Sequence, residues 1–267
     1  SAPVANFSGS PTSGAVPLTV NFTDSSTNTP TSWSWTFGDS GTSTAQNPSH
    51  QYTSAGTYTV SLTASNAGGS DDETKTSYIA VSSPYIKRVN SGGSAHTDSF
   101  GKQWSADQAY TSGSWGYVGG SVMTTTDSIA NTVEDVLYQS QRKQDFSYKF
   151  DVANGNYDVT LYFAEIDTDR SGVREFDVTI EGTLKLDNYD IYAHANAHDY
   201  AVSENFTNIA VSDGQLNIVF TDVKDRSLVA ALYVRTAGVP AIGFSGSPTS
   251  GNYPLNVSFT DSSTGSI

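Results

Sequence analysis

Apolar and polar side chains alternate with a period of two in three segments near the start of the chain. Because successive side chains of a β-strand point to opposite faces, this pattern predicts strands that bury one face. Turn signals such as Asn47-Pro48, Ala55-Gly56 and Gly68-Gly69 punctuate this region. Short strands at this spacing predict a β-sandwich. The alternating apolar residues are Leu18, Val20 and Phe22, then Trp33, Trp35 and Phe37, then Tyr58, Val60 and Leu62.

Residues 84–237 show further alternating segments and no long amphipathic helical pattern, which predicts a second all-β region. His194 and His198 have the spacing of two zinc ligands on one helical turn, but the sequence around them does not predict a helix. We therefore expect both histidines in a solvated loop. The predicted strands of this region are Tyr148–Val152, Tyr157–Phe163, Phe176–Ile180 and Leu216–Phe220.

One segment of the chain occurs twice. The sequence FSGSPTSGAVPLTVNFTDSST, which starts at Phe7, returns as FSGSPTSGNYPLNVSFTDSST from Phe244, an offset of 244 − 7 = 237 residues. The second copy extends only to Ile267, the equivalent of Pro30. We therefore expect residues 238–267 to be the N-terminal part of a second module. Further residues of a longer parent chain, or a segment of another subunit, would complete it.

The overall charge narrows the classes of partner. The chain carries 27 acidic and 13 basic side chains, a formal net charge of -14. Such a surface repels phosphate backbones and anionic lipid headgroups, so nucleic acid and membrane surfaces are not expected partners. No apolar run approaches the roughly 20 residues that a membrane-spanning helix needs. Cysteine is absent from the sequence, so the stability of each domain must come from packing.

The first eighty residues resemble the polycystic kidney disease (PKD) repeat, and the resemblance covers residues 3–82. It implies an immunoglobulin-like sandwich of the kind that spaces or stiffens other modules in ectodomains, and hence an extracellular location. The residues that carry the resemblance are Trp33-Ser-Trp35-Thr-Phe37-Gly38-Asp39, Asn47-Pro48-x-His50-x-Tyr52 and Ala55-Gly56-x-Tyr58-x-Val60-x-Leu62.

Residues 84–237 resemble malectin-type carbohydrate-binding domains. The resemblance implies a jelly-roll sandwich whose loops at one end bind a short glucose-type oligosaccharide. Lys143 stands where the animal lectins have a further aromatic residue, a departure that bears on glucose specificity. The matching blocks, in family order, are Arg88-Val89-Asn90-x-Gly92-Gly93, Trp104-x-x-Asp107, Tyr138-Gln139-x-x-Arg142, Phe163-Ala164-Glu165, Arg174-x-Phe176-Asp177-Val178, Asp190-Ile191-Tyr192 and Asp213-Gly214-x-Leu216-x-Ile218.

Sugar recognition needs flat apolar faces for the C–H faces of a pyranose, and polar groups for its hydroxyls. The resemblance assigns these roles to six candidate residues. For Tyr138, Arg142 and Glu165 the alternative is a buried structural network, because a buried charge is usually paired. The candidate carbohydrate-binding residues are Trp104, Tyr117, Tyr138, Arg142, Glu165 and Asp190.

The sequence contains no convincing catalytic arrangement, so we expect a protein that is not an enzyme. Gly38-Asp39-Ser40-Gly41 has the letters of a trypsin-type nucleophile loop, but that family needs its histidine and aspartate earlier in the chain than the serine, and the first histidine here is His50. Glu134 and Asp135 are adjacent on the chain and therefore do not converge as a glycosidase pair. No cofactor is expected.

A structural calcium ion remains an open alternative at one acidic segment. Asp167-x-Asp169-x-Ser171-Gly172 has the opening of a calcium loop, but Val178 stands where a bidentate glutamate is required.

Four Asn-x-Ser/Thr triplets predict N-glycosylation of a protein at the cell surface. The bland alternative is chance, because a chain rich in Ser, Thr and Asn produces such triplets readily. The predicted acceptors are Asn6, Asn21, Asn205 and Asn256.

Together these patterns predict three segments: a PKD domain at 1–83, a malectin-like domain at 84–237 and the start of a second PKD domain at 238–267. The first functional hypothesis is a secreted cell-surface protein that binds an oligosaccharide or surface polysaccharide in adhesion, with PKD domains as spacers. The alternative is a self-assembling subunit of an extracellular filament, sheath or surface layer.

Overall fold

The computed structural model describes residues 1–238 and, in backbone only, residues 244–247 and 258–261. Two compact units are present, Ser1–Pro84 and Tyr85–Ala237, and each is built almost entirely from strands. The all-β prediction is confirmed. Across the described part of the chain, no helix has the length and apolar character required to cross a membrane.

The first unit is a sandwich of two sheets, as predicted for an immunoglobulin-like fold. One sheet has the strand order β1-β3-β6, and the other has the order β2-β8-β7-β4-β5. Its strands are β1 (Phe7–Ser10), β2 (Ser13–Ala15), β3 (Leu18–Asp24), β4 (Ser32–Thr36), β5 (Thr42–Ser43), β6 (Ser49–Tyr52), β7 (Gly56–Asn66) and β8 (Gly69–Ser82).

The core of the first unit is aromatic. Trp35 is fully buried, with its ring 5.1 Å from Phe7 and 5.6 Å from Phe22 between ring centres. Its indole N–H donates to the backbone oxygen of Ala45 at 2.9 Å, so the polar atom of this buried ring is satisfied. Phe37 lies just after β4 and still stacks on Trp35. The alternation seen in the sequence therefore does mark the buried face.

The second unit also consists of two sheets, one of order β10-β11-β9-β20-β14-β17 and one of order β12-β13-β18-β15-β16, with β19 paired to β13. Its strands are β9 (Ile86–Asn90), β10 (His96–Thr97), β11 (Gln103–Ala106), β12 (Trp115–Thr124), β13 (Ser140–Asp151), β14 (Gly155–Phe163), β15 (Glu175–Ile180), β16 (Thr183–Tyr189), β17 (Val202–Val211), β18 (Gln215–Lys224), β19 (Leu228–Val229) and β20 (Ala231–Thr236).

Large apolar side chains from both sheets form the core of the second unit. The largest fully buried ones are Tyr148, Phe150, Phe163, Phe176 and Phe220. All five lie in strands that the alternating pattern predicts, although the observed strands run further than the predicted segments.

The expectation of a loop around His194 is wrong, because a short helix, α1 (Ile191–Ala195), contains this residue. Asp190 caps the helix by accepting the backbone N–H of Ala193 at 2.9 Å. Asn196 ends it in the left-handed conformation, with φ of 53°. One turn is too short to produce a helical period in the sequence, so the capping residues carry the only signal.

The repeated segment contributes two short strands, β21 (Phe244–Ser247) and β22 (Ser258–Asp261). They pair antiparallel with Phe244 opposite Asp261, the same register that pairs Phe7 with Asp24 in the first unit. A second PKD domain stays a prediction, since most of residues 238–267 lie outside the described part of the chain.

Three of the four predicted glycosylation sites lie in the described part of the chain. Asn6, Asn21 and Asn205 are exposed, whereas the side chain of Asn256 lies outside the described residues. Asn205 accepts a hydrogen bond from the Thr160 hydroxyl at 2.7 Å. Glycosylation stays a prediction at all four positions.

Candidate functional site

An open cleft of about 570 Å³ lies at one end of the second unit. Two loops form its lips. The first lip is the β10–β11 hairpin, residues 96–104, and the second lip is the segment 131–138, which contains a 3₁₀ turn at Asp135–Leu137. The cleft is lined by Asp98, Phe100, Lys102, Trp104, Asn131, Thr132, Val133, Glu134, Leu137, Tyr138 and Tyr162.

The floor of the cleft is aromatic. Tyr162 of β14 meets Trp104 edge-on at 5.6 Å and Tyr138 edge-on at 6.4 Å between ring centres. Trp104 and Tyr138 are only 6% and 7% exposed, and the Trp104 indole N–H donates to the Asp98 carboxylate at 3.0 Å. These contacts make a largely apolar floor in which the Tyr162 ring stands edge-on to its two aromatic neighbours.

Two hydroxyl groups on this floor are available to a ligand. Among the described residues, neither the Tyr138 nor the Tyr162 hydroxyl has a hydrogen-bond partner. Burial raises the pKa of both phenols above their ordinary value, so both stay protonated at neutral pH. Each can therefore donate one hydrogen bond and accept another.

The lips carry exposed apolar side chains. Phe100 is 74% exposed and Val133 is 77% exposed, on opposite lips. Asp98 fixes the turn that carries Phe100 by accepting the backbone N–H of Phe100 at 3.0 Å and of Lys102 at 2.8 Å. The exposed Phe100 ring, on a turn constrained by these hydrogen bonds, could offer a flat apolar face to a ligand.

Glu134 joins the two lips. Its Oε2 lies 3.0 Å from His96 Nε2, and its Oε1 accepts the backbone N–H of Ser99 at 2.6 Å. The hydrogen bond to His96, followed by that to Ser99, lowers the pKa of Glu134 below its ordinary value. The carboxylate is therefore ionised at neutral pH, with both oxygens engaged by the first lip.

Tyr117 of β12 and Arg142 of β13 lie outside the cleft lining, in a cluster where Arg142 is buried and Tyr117 is partly buried. Arg142 donates from Nε at 2.9 Å and from Nη2 at 2.7 Å to the Asp107 carboxylate. Its guanidinium carbon lies 3.2 Å from the ring centre of Tyr117. Asp107 also accepts the Tyr148 hydroxyl at 2.9 Å. This charge is fully paired and holds the strands in position.

Glu165 likewise lies outside the cleft lining, in a second buried ion pair. Its carboxylate accepts Arg174 Nε at 2.7 Å, and both side chains are 1% exposed. Arg174 also pairs with Asp225 at 2.8 Å and with Asp167 at 3.2 Å. Tyr138, Arg142 and Glu165 therefore do not form one buried network. Arg142 pairs with Asp107, Glu165 pairs with Arg174, and Tyr138 belongs to the aromatic floor of the cleft.

The segment with the opening of a calcium loop is engaged in other contacts. Asp167 pairs with Arg226 at 3.3 Å as well as with Arg174. Ser171 and Gly172 donate to Asp190 at 3.0 and 2.6 Å. No group of three or more His, Asp or Glu residues able to hold a metal ion occurs in the described part of the chain.

Asp190 connects the loop that contains Ser171 and Gly172 to the start of α1. Partial burial opposes its ionisation, but hydrogen bonds from Gly172, Ala193 and Ser171 outweigh this effect and lower its pKa. The side chain therefore acts as an anionic cap of α1, and it lies outside the cleft lining.

Removing this cap has a modest expected cost. Asp190→Ala deletes the acceptor for Ala193, Ser171 and Gly172, so the free energy of unfolding of the second unit should fall by about 1 kcal/mol. Asp190→Asn keeps an acceptor oxygen and should lose less. Chemical denaturation of the two variants measures the difference, and an Asp190→Ala chain as stable as the parent would contradict the capping role.

Of the six candidate residues, two line the cleft, namely Trp104 and Tyr138. Sequence reasoning missed Phe100, Val133 and Tyr162. Tyr162 occupies a partly buried position between the buried Leu161 and Phe163, which alternation alone assigns to the outer face. Phe100 offers a weak signal, a lone aromatic residue between Ser99 and Gly101 in a polar turn.

The sandwich and its aromatic cleft put the second unit in the class of β-sandwich binding modules. A family model described as the malectin domain matches residues 85–243, more than half of the chain, and a model described as the PKD domain matches residues 1–81. The chain therefore belongs to the malectin domain family, a family of carbohydrate-binding modules.

Several known proteins are similar to parts of the chain. Malectin-A of Xenopus laevis is 30% identical over 139 residues, which cover 50% of this chain and 48% of that protein. Human malectin is 27% identical over 169 residues, covering 58% and 57% respectively. The chain thus spans about half the length of the curated relatives it matches.

Among solved structures, a Bacteroides uniformis β-glucuronidase has a TM-score of 0.53 at 18% identity, covering 87% of this chain and 30% of that one. At this identity the likeness concerns the fold alone.

Proposed function

We propose that the second unit binds an oligosaccharide in the cleft between its two lips, without chemical conversion. The protein acts outside the cell, and the PKD unit carries the binding module as a spacer. The observation that supports this proposal is the cleft itself. Two unpartnered phenol hydroxyls lie on its aromatic floor, and an exposed phenyl ring lies on its lip.

The cleft has the two kinds of surface that a pyranose needs. The exposed Phe100 ring offers a flat apolar face to sugar C–H groups, and the floor rings add apolar contact beneath it. The hydroxyls of Tyr138 and Tyr162, together with the Asn131 amide, offer hydrogen bonds to sugar hydroxyls. A volume of about 570 Å³ falls within the range of small-ligand sites and accommodates a short oligosaccharide.

The carboxylates of the cleft do not suit glycoside hydrolysis. A glycosidase needs one carboxylic acid with a raised pKa and a second carboxylate on the other side of the scissile bond. The pKa of Glu134 is lowered instead, and Asp98 already accepts three N–H groups. We therefore assign a binding role and no catalytic one.

Removing both floor hydroxyls tests the site. Tyr138→Phe combined with Tyr162→Phe keeps the aromatic floor and deletes two hydrogen-bonding groups, each worth about 0.5–1.5 kcal/mol. Affinity for a glucose-type oligosaccharide, first identified on a glycan array, should fall about tenfold in calorimetric titration of the whole chain. Tyr157→Phe, outside the cleft, is the matched control and should bind like the parent.

Salt dependence separates a neutral sugar from an anionic ligand. Stacking and neutral hydrogen bonds should change affinity less than about twofold between about 50 and about 500 mM salt. A steep decrease would indicate a charged ligand held by Lys102 or Lys143, since Arg142 is already paired with Asp107. Equal binding by the parent and the double Phe variant would exclude this cleft.

A further inference from the structure

We infer that Glu134 is a positioning residue that sets the width of the cleft by fastening the first lip to the second. This inference rests on the proposed function, because it concerns how the same cleft recognises a sugar. One carboxylate contacts the first lip at two points, the His96 ring at 3.0 Å and the Ser99 amide at 2.6 Å.

The second lip is the anchored side of this connection. Ala130 donates its backbone N–H to the oxygen of Asp199 at 2.7 Å, and Asn131 donates its amide to the oxygen of Ala201 at 2.9 Å. The Glu134 backbone N–H donates to the Thr132 hydroxyl at 2.9 Å, which fixes the start of the 3₁₀ turn. Glu134 thus projects from a segment that the body of the unit already holds.

The first lip depends on Glu134 for its position. It is the outermost hairpin of its sheet, and β10 pairs with β11 alone over two residue pairs. Asp98 orders the turn internally, but its contacts stay within residues 98–104. In the described part of the chain, the hydrogen bonds between residues 96–104 and 131–138 are those of Glu134.

A ligand that fills the cleft would contact both lips, because the exposed side chains of Phe100 and Val133 line it from different lips. A fixed spacing between the lips would hold Phe100 in its place in the cleft before the sugar arrives. If the first lip were free, binding would have to order it, and part of the interaction energy would be lost. Glu134 therefore affects affinity through the position of Phe100.

Three substitutions test this role in the whole chain, with the oligosaccharide found on the array as the probe. Glu134→Ala deletes both bonds and should weaken binding about tenfold. His96→Ala deletes one bond and should weaken it about threefold to fivefold, although His96 is not part of the cleft lining. Glu134→Gln keeps an acceptor for Ser99 and a polar partner for His96, so affinity should return to within about twofold of the parent.

His50→Ala provides the matched control. It breaks a comparable pair in the first unit, where His50 Nε2 lies 2.8 Å from Asp39, and it should leave sugar affinity unchanged. Full affinity in His96→Ala, with loss in both Glu134 variants, would mean that Glu134 contacts the sugar directly and would overturn the positioning role.

Hydrogen exchange keeps the inference testable if no sugar on the array binds. The Ser99 amide, protected by Glu134 in the parent, should exchange about tenfold faster in Glu134→Ala and in His96→Ala, with residues 100–102 affected alongside it. Unchanged exchange in both variants would overturn the inference, whatever the ligand. Faster exchange without any glycan binding would retain the connection between the lips and would refute the proposed function alone.

Discussion

Replacing Arg174 with alanine should lower the free energy of unfolding of the second unit by about 3–5 kcal/mol. The substitution leaves Glu165, 1% exposed, without its buried partner, and it removes one cationic neighbour from Asp167 and Asp225. A buried carboxylate without a counter-charge must either stay ionised at high cost or take up a proton. Denaturant unfolding of the whole chain, with peptides followed by hydrogen exchange, assigns the loss to residues 85–237.

Arg226 provides the control. It pairs with the same Asp167 and Asp225 but is one-third exposed, so Arg226→Ala should cost less than about 1 kcal/mol. The double variant Glu165→Leu with Arg174→Met removes both members of the buried pair and should recover part of the loss. If Arg174→Ala cost no more than Arg226→Ala, the buried pair would have no special weight in this fold.

Phe100→Ala should weaken sugar binding about tenfold to a hundredfold and leave folding stability within about 0.5 kcal/mol of the parent. The two effects should separate because the ring is 74% exposed and would become buried under the sugar in the proposed complex. Calorimetric titration gives the first quantity and denaturation gives the second. Phe100→Tyr keeps the flat ring and should retain binding.

Val136→Ala is the matched control on the other lip, since Val136 is about half exposed and is not part of the cleft lining. Unchanged affinity in Phe100→Ala would indicate that the sugar binds outside this cleft, with Tyr117 and Asp190 as the next candidate residues. Trp104→Ala would be a poorer test of this cleft. Trp104 is a buried floor residue, so its loss would also disturb the packing beneath the site.

The sandwich architecture could be predicted from the sequence because the buried and exposed faces of a half-buried strand appear as alternating apolar and polar residues. Leu18, Val20 and Phe22 are buried as expected, and Tyr148 and Phe150 behave in the same way in the second unit. Short elements could not be predicted from this alternation. The helix α1 depends on a cap and a left-handed residue, and five residues are too few to show a period.

The site was only partly accessible, because its geometry depends on contacts between distant positions. Arg142 and Asp107 are 35 residues apart, and nothing in either local sequence indicates that they pair. Glu134 contacts a hairpin 35 to 38 residues before it. Trp104 and Tyr138 were found through the family resemblance, whereas the weak sequence signal of Phe100 gained meaning only once its exposure was known.

The aromatic core around Trp35 has a consequence for the conditions under which the first unit keeps its fold. Its rings Phe7, Phe22, Trp35 and Phe37 pack directly on one another across the two sheets, in a sequence that contains no cysteine. Cohesion between the sheets therefore does not respond to thiol reductants or to the local redox potential. The module keeps the same stability in a reducing environment and in an oxidising one.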